Sequence, residues 1–511
     1  MQFVKFKVSF LYSYVCITGA SVMALELAAS RFLAPYYGTS MIVWANIIGL
    51  ILLSLSLGYW IGGRWADRRP DGKLLMLISL AAGVFTSLLP LWGKLIFPLL
   101  SNGILDTSLW IILCSFFAIL IVFAPPVFLL AMVSPFAIRL VSASEEQIGK
   151  TAGNLYAFST LGSIIGTFGT AFGTIPFLGT RETIFLWSAA LIAISSLGLR
   201  KSKWKWSALF LLLPVLLYLI PYDTFKQVEG KPVVWSKDTL YQFVRVTQTA
   251  DGQTSLIYNE GGGVQSMRRP NDALNKNDYY DDYLMLPFLM EKPEQVLVLG
   301  SAGGTIPRLL AKYVKPIYPG LHTTGVEIDP EVIKLDSRFF GLQPEDAKLV
   351  NQDARVFLDN TEERYDIVIV DCYSQQIYIP FHLSTVEFFQ TIENHLNPSG
   401  LLALNVNAVS TDSRLLQSME KTLHQAFPFS YVVRARGDYN YILLGSLTPL
   451  KLDKLKAIEA DHPLAGIRDE WPKQLTSLTP EQFANGQLLT DNRAPTEMLT
   501  DSMIFSAAGA R

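Results

Sequence analysis

The chain has 511 residues, a formal net charge of −2, 50% apolar residues and 17% charged ones, with a mean hydropathy of +0.29. Its length exceeds the roughly 100–200 residues of one domain. The near-zero net charge argues against a polyanion-binding protein, and a charged fraction below the ~25% of ordinary soluble chains implies membrane segments. Three cysteines, Cys16, Cys114 and Cys372, lie far apart, and the five histidines show no ligand spacing, so neither a disulfide framework nor a metal cluster is indicated.

Apolar runs predict transmembrane helices over 10–29, 42–61, 74–95, 109–132, 155–177, 183–199 and 206–221, each near the ~20 residues a bilayer requires. The first run follows Lys5 and Lys7 like a signal peptide, but Glu26 and Arg31 stand where a small-residue cleavage site would be. Pro125 and Pro126 predict a kink or interruption in the fourth span, with 135–140 continuing it or lying along the surface. Gly162, Gly166, Gly169 and Gly173, and likewise Gly58 and Gly62, form small-xxx-small steps that allow close helix packing. Glu26 within the first span is either functional or a charge that reaches the interface and pairs with Arg31. Asn46, Asn154 and Arg139 are weaker cases of the same kind.

With the N-terminus inside, Lys5, Lys7, Arg64, Arg68, Arg69, Lys73, Arg139, Lys150, Arg200, Lys201, Lys203 and Lys205 collect on the cytoplasmic side. Arg31, Lys94 and Arg181 collect on the other. The positive-inside rule then puts everything after Pro221 outside the cytoplasm. A cytosolic nucleotide ligand would need the reverse, and one re-entrant segment near Pro125 would supply it. Both orientations stay open.

A small β region follows, with strands over 241–247, 255–258 and 264–266, a turn at Asp251 and Gly252, and a glycine run at 261–263. It reads as a hairpin lid. The stretch QVLVLGSAGGT, 295–305, organises the rest: an apolar strand breaks into a turn carrying Gly300, Gly303 and Gly304, and a helical pattern resumes at Ile306. Strands over 323–328, 348–351 and 365–370 end in or precede Glu327 with Asp329, Asp353, and Asp371. Strand ends that deliver glycines and carboxylates to one sheet edge specify a nucleotide crevice, and a carboxylate about 20 residues beyond the turn suits ribose hydroxyls. Each acid taken alone reads equally as a helix N-cap or a solvated loop residue. A helix over 384–396, a strand over 401–406, a helix over 415–426 and a closing pair, 431–434 with 441–445, predict a seven-stranded methyltransferase-type sheet. The expected architecture is thus an α-helical transmembrane bundle of about seven helices (1–222), a small β-strand lid (223–290) and a Rossmann-like α/β domain (291–511).

The motifs SKDTLYQFVRV (236–246), GGGVQS (261–266), VEIDP (326–330), NQDARVFL (351–358), YDIVIVDCYS (365–374) and IPFHLSTVEFF (379–389) resemble, in order and spacing, the spermidine synthase (polyamine aminopropyltransferase) family. Glu26, Arg31, the GGRWADRR at 62–69 and the glycine-rich fifth span are similar to its membrane-fused branch. The resemblance implies a transferase that moves an aminopropyl group from decarboxylated S-adenosylmethionine to an amine, without a metal. It implies that Gln242, Glu327, Asp353 and Ala354, with the turn glycines, bind the adenosine-thioether part of that co-substrate, and that Asp371 accepts the proton. The implied partners are a polyamine or other amine, the lipid bilayer and a second copy in a homodimer; nothing points to nucleic acid.

The chain departs from the family on the amine side. The GSAGG turn is one residue shorter and lacks the family's Asp, Tyr280 precedes Asp281 where the family has His, and Ser374 replaces a second Asp. Tyr279, Tyr280, Asp281, Tyr373 and Ser374 are candidates to rebuild an amine site, or they are lid packing. Two other functions compete: an S-adenosylmethionine-dependent methyltransferase acting on a membrane-associated acceptor, and a non-enzymatic polyamine transporter or sensor.

Overall fold

The computed structural model describes residues 8–37, 41–101, 108–141, 148–200, 202, 204–220, 232–259, 263–275, 278–374, 377–437 and 439–508. Lys5, Lys7, Lys201, Lys203, Pro221, Gly261 and Gly262 lie outside the described residues. By internal contact the chain forms two units, one of Met1–Glu229 with Lys237–Phe243, the other of Gly230–Ser236 with Val244–Arg511.

The first unit is helical. Helices α1 (Val8–Tyr37), α2 (Met41–Arg68) and α3 (Gly72–Ser101) are followed by a path in three pieces, α4 (Ser108–Val122), α5 (Ala124–Ala131) and α6 (Val133–Val141). Pro125 and Pro126 open α5 and Pro135 lies in the first turn of α6, where a missing N–H costs little, so the expected kink becomes two short breaks. Then come α7 (Ile148–Phe168), a π-helical stretch Gly169–Thr174, α8 (Ile175–Leu178) and α9 (Thr180–Leu199). Among the described residues, six helical runs are long and apolar enough to cross a membrane. The expected last span is shorter, a 3-10 stretch Lys205–Leu211 leading into α10 (Leu212–Tyr218).

Close packing follows the small residues. A Cβ on Gly162 would stand 1.9 Å from the Cys16 carbonyl oxygen and one on Gly166 2.2 Å from that of Ala20, so α7 lies directly on α1. Gly58 and Gly62 meet Ala131 and Met132 in the same way, whereas a Cβ on Gly169 or Gly173 would meet open space. The second glycine step is therefore a site of π-winding and not of packing. Polar side chains bond between helices: Asn46 Nδ2 to Ser115 Oγ at 2.8 Å, and Ser79 Oγ with Ser195 Oγ at 2.7 Å. Asn154 Nδ2 reaches the Tyr12 hydroxyl at 3.4 Å, and Arg139 pairs with Asp67 at 3.5 Å. Glu26 is half-buried.

The last helical segment returns along the bundle. It starts next to the C-terminal end of α9, where Ser202 N donates to Leu199 O. It finishes at the other end of α9, where Arg181 Nη1 donates to Ile220 O at 2.9 Å. Thr180 N donates to Asp238 Oδ2 at 3.1 Å and the Arg31 guanidinium to Leu240 O. The chain thus leaves the helices at the end that carries Arg31 and Arg181.

Strands β1 (Val233–Asp238), β2 (Phe243–Gln248), β3 (Thr254–Tyr258) and β4 (Val264–Arg268) form a sheet in that order, all of it in the second unit except Lys237, Asp238 and Phe243. The main sheet follows. Strands β5 (Gln295–Leu299), β6 (His322–Glu327), β7 (Lys348–Asn351), β8 (Tyr365–Val370) and β9 (Leu396–Asn407) are parallel. Strands β10 (Phe429–Arg434), β11 (Asn440–Ser446) and β12 (Leu475–Ser477) add an antiparallel edge. The order β12-β10-β11-β9-β8-β5-β6-β7 gives eight strands where seven were expected; the extra one, β12, is a three-residue edge strand with no apolar run to announce it. Val296, Val298, Ile367 and Ile369 enter one buried layer, while Leu297, Leu299, Val368 and Val370 enter the other. Burial on both faces is why these strands read as continuous apolar runs. Crossing helices include α11 (Thr305–Tyr313), α12 (Pro330–Leu335), α13 (Ala354–Asn360), α14 (Val386–Asn394) and α15 (Arg414–Ala426).

Candidate active site

In the sheet order, β5 has β8 on one side and β6 on the other. The chain reverses its direction of progress there, and this is where an open α/β sheet leaves a crevice beyond its carboxyl edge. The turn after β5 is built for close approach. Gly300 has φ +82 and Gly304 φ +70, and Ala302 also takes a positive φ of 45. A Cβ on Gly300 would lie 2.4 Å from the Asp371 carbonyl oxygen, and Gly303 donates its N–H to Ser266 Oγ of β4 at 2.8 Å. The GGGVQS segment thus reaches the turn through its serine.

Glu327, at the end of β6, is 6% exposed. Its two oxygens accept backbone N–H groups from Ala302 (2.9 Å) and Asp329 (3.0 Å), which ties the glycine turn to the second strand. Burial pushes its pKa up to about 7, opposed by those bonds and aided by the Asp329 charge. Asp329 caps α12 by accepting from Glu331 N. Asp353 caps α13, accepting from Arg355 N and Val356 N, while its other oxygen faces His382 Nε2 at 3.3 Å. The His382 contact holds the Asp353 carboxyl below its usual range. Both capping acids fill the N-cap role that each suggested alone, and the second oxygen of Asp353 is turned to His382. Ala354 opens α13 and is buried. Asp336, 1% exposed, is pushed up to about 9 by burial and by the Glu327 charge.

Asp371 follows β8. Its Oδ2 accepts from the Tyr279 hydroxyl at 3.0 Å and its Oδ1 from Asn405 Nδ2 at 2.8 Å. Burial raises its pKa to about 6 against the pull of these donors. The adjacent Cys372 thiol is raised by burial and then by the charges of Glu327, Asp371 and Asp353. The charges of three acids separated in sequence therefore act on one residue. Asn405 was not anticipated. The signal was available, since Asn405 and Asn407 interrupt the otherwise apolar LLALNVN of β9.

The remaining candidates divide. The Tyr279 and Tyr280 rings pack at a tilt with centroids 4.2 Å apart, and Tyr280 is 3% exposed. Asp281, 0% exposed, accepts from Asn275 N at 2.7 Å and lies 4.0 Å from Arg269, so it serves the local frame and does not face solvent. The Tyr373 hydroxyl donates to Asn405 O at 2.9 Å and accepts from Asn407 N at 3.0 Å, which positions β9. Ser374 turns into its own loop, with Oγ 3.3 Å from Tyr378 O. Gln242 belongs to the Lys237–Phe243 segment of the helical unit, where its carbonyl accepts from Thr239 N at 2.9 Å. A cavity of about 590 Å³ opens at the opposite sheet edge, lined by Gln295, His322 and Lys348 at strand starts, away from all of these acids.

Residues 279–439 match the family profile described as the spermine/spermidine synthase domain. Among relatives, the chain is 35% identical over 178 residues to a probable polyamine aminopropyl transferase of Bifidobacterium longum, a match covering 35% of this chain and 38% of that protein. It is 23% identical over 471 residues to polyamine aminopropyltransferase 2 of Aquifex aeolicus, covering 87% of this chain and 90% of the relative, helical half included. The crystal structure of a probable spermidine synthase from Corynebacterium glutamicum aligns with 51% of this chain and 96% of its own, at 19% identity and a TM-score of 0.39. The C-terminal part of the chain carries a spermine/spermidine synthase domain.

Proposed function

We propose that this chain, built on a spermine/spermidine synthase domain, is an integral-membrane aminopropyltransferase-like enzyme that transfers the aminopropyl group of decarboxylated S-adenosylmethionine to an amine. The observation that carries this reading is Asp371, held between the neutral donors Tyr279 and Asn405 at the end of β8. In the reaction the amine lone pair forms an N–C bond and the C–S bond breaks. The electron pair goes to sulfur, so the sulfonium leaves as neutral methylthioadenosine. The proton released by the new ammonium goes to Asp371, whose pKa of about 6 leaves it mostly ionised at neutral pH. Alignment of the reactants supplies the rest of the acceleration.

In this reading Glu327 receives the ribose hydroxyls, Asp353 and Ala354 hold the adenine side, and Gly300, Gly303 and Gly304 let the thioether approach the backbone. The β1–β4 sheet acts as the lid. Mass spectrometry of purified protein with decarboxylated S-adenosylmethionine and a panel of amines tests it: methylthioadenosine with an aminopropylated product is expected. S-adenosylhomocysteine formed from S-adenosylmethionine would instead establish a methyltransferase, a reading favoured by the absence of an acid in the GSAGG turn.

The same proposal includes orientation. Arg64, Arg68, Arg69, Lys73, Arg139, Lys150, Arg200 and Lys205 lie at one set of helix ends, and the chain exits at the other, beside Arg31 and Arg181. Under the positive-inside rule the exit faces away from the cytoplasm, and the enzyme draws its co-substrate from that side. A C-terminal alkaline phosphatase fusion is expected to be active; an active cytoplasmic reporter at the same position would reverse the orientation.

A further inference from the structure

Asp353 turns its two oxygens to different partners. Oδ1 caps α13 by accepting from Arg355 N at 2.9 Å and Val356 N at 3.1 Å, and among the described residues Oδ2 meets His382 Nε2 at 3.3 Å. A carboxylate held through one oxygen still turns about that point, so the imidazole sets the direction of Oδ2. The His382 contact holds the carboxyl below its usual range, and an ionised carboxylate only accepts, so Nε2 carries the proton. Of the roughly four acceptor sites on a carboxylate, capping uses two and the imidazole one, which leaves a place on Oδ2 for a ligand's donor. The Asp353 and His382 side chains are 27% and 34% exposed, within reach of such a ligand.

A turn of the C-terminal tail holds the imidazole in place. Arg355 Nη1 donates to His382 O at 3.0 Å and to Asp491 Oδ1 at 2.7 Å, while Nη2 donates to Asp491 Oδ2 at 2.5 Å. This forked pairing fixes the plane of the guanidinium. Asp491 is itself oriented, since its Oδ1 accepts from the Thr385 hydroxyl at 2.7 Å and its N–H donates to Glu387 Oε2 at 3.0 Å. The Phe381 ring packs edge-on to the imidazole with centroids 5.5 Å apart. A relay thus runs from Asp491 through Arg355 and the His382 backbone to the Asp353 carboxylate. The tail does not need Asp491 in order to dock. Val386 N donates to Leu489 O at 2.9 Å, and Thr496 Oγ1 lies 2.7 Å from Ser384 Oγ. Arg355 and Asp491 are 21% and 43% exposed, and an ion pair so open to water adds little to stability. What the pair does is orient Arg355, and through it the His382 backbone.

Resting on the reading in which Asp353 and Ala354 hold the adenine side, we propose that His382 and Asp491 are positioning residues that make the site selective for an aminopurine. They aim Asp353 Oδ2 at the exocyclic amino group of the base, a donor that this oxygen accepts. The test measures calorimetric binding of two ligands to the full-length protein in detergent: methylthioadenosine, and the same methylthio riboside with hydrogen in place of the amino group. Wild type is expected to bind methylthioadenosine about tenfold more tightly, the size of one hydrogen bond to a charged group. Asp491→Asn, nearly unchanged in shape, is expected to lower that ratio about threefold and His382→Phe about tenfold, with the amino-free ligand held within about twofold of wild type by both. A merely structural tail would weaken the two ligands alike. A parallel loss for both ligands, or a ratio equal to wild type in either variant, overturns the proposal, as does a wild type that binds methylthioadenosine without preference. Binding of neither ligand by the wild type defeats the adenosine reading and the relay with it. A ratio that collapses as expected, in a protein that releases no methylthioadenosine from decarboxylated S-adenosylmethionine and any amine, defeats aminopropyl transfer and leaves the relay standing.

Discussion

Asn405 Nδ2 donates to Asp371 Oδ1 at 2.8 Å, across the junction of β9 with the end of β8. An apolar strand thereby places a neutral donor on a half-buried carboxylate that must be ionised to accept a proton. The bond opposes the effect of burial, which pushes the Asp371 pKa up to about 6. Activity is therefore expected to fall as pH drops through about 6. Replacing the donor, as in Asn405→Leu, should move that acidic limb upward by roughly one pH unit, the size of one lost charge-assisted hydrogen bond. A kcat/KM profile from pH 5 to 9 checks it; an unmoved limb would detach Asn405 from the titrating group.

Asp371→Asn is expected to lower kcat by about 10²–10⁴-fold, the range of one general base, while the affinity for methylthioadenosine stays within a few-fold. Its stability should change in the opposite sense. A carboxyl whose folded pKa lies above its unfolded value binds more protons when folded, so its effect on stability is most favourable below the unfolded value of 3.8 and erodes as pH rises through about 6. Removing the charge should then stabilise the protein by roughly 1–2 kcal/mol at pH 7 and leave it nearly unchanged at pH 4. Thermal melts at the two pH values measure this directly.

Glu327→Gln exchanges an oxygen that accepts a backbone N–H for an amide that cannot, leaving Ala302 N or Asp329 N without its acceptor. A buried donor so stranded costs about 1–3 kcal/mol. The glycine turn should loosen and the affinity for methylthioadenosine should drop at least tenfold by calorimetry. Unaltered affinity would remove Glu327 from the nucleotide site.

Gly300→Ala carries two penalties, a left-handed φ of +82 and a Cβ 2.4 Å from the Asp371 carbonyl oxygen. The conformational part costs roughly 1–2 kcal/mol and the overlap about 1–3 more. Loss of turnover should accompany the loss of stability, because relief of the clash moves Asp371. The neighbouring Ser301→Ala, with ordinary backbone, is the control expected to retain activity.

In the helical unit, Gly162→Ala should lower the yield of folded protein in detergent, since its Cβ would lie 1.9 Å from the Cys16 carbonyl oxygen. Gly173→Ala should be tolerated because open space surrounds that position. Size-exclusion profiles of the two variants distinguish a packing role from a merely small residue.

Local covalent patterning determined much of this protein. Apolar length announced the helices long enough to cross a membrane, and unbroken Val, Ile and Leu runs announced β5 and β8, because strands buried on both faces admit no polar residue. The positions of Gly300, Gly304, Glu327, Asp353 and Asp371 could be read from the chain because strand ends in such a sheet point to one edge. Tertiary structure decided what each group has left to offer. Asp281 reads equally as an amine ligand or as lid packing, and it is buried beside Arg269. Tyr373 and Ser374 read equally as an amine site or as lid packing, and their hydroxyls bond to the backbone. Asn405 reads as an interruption in a strand, and the parallel pairing of β8 with β9 makes it the donor to Asp371. Hydrogen-bond satisfaction is a property of groups distant in sequence, so a single chain lists the donors and acceptors while the packed sheet assigns them.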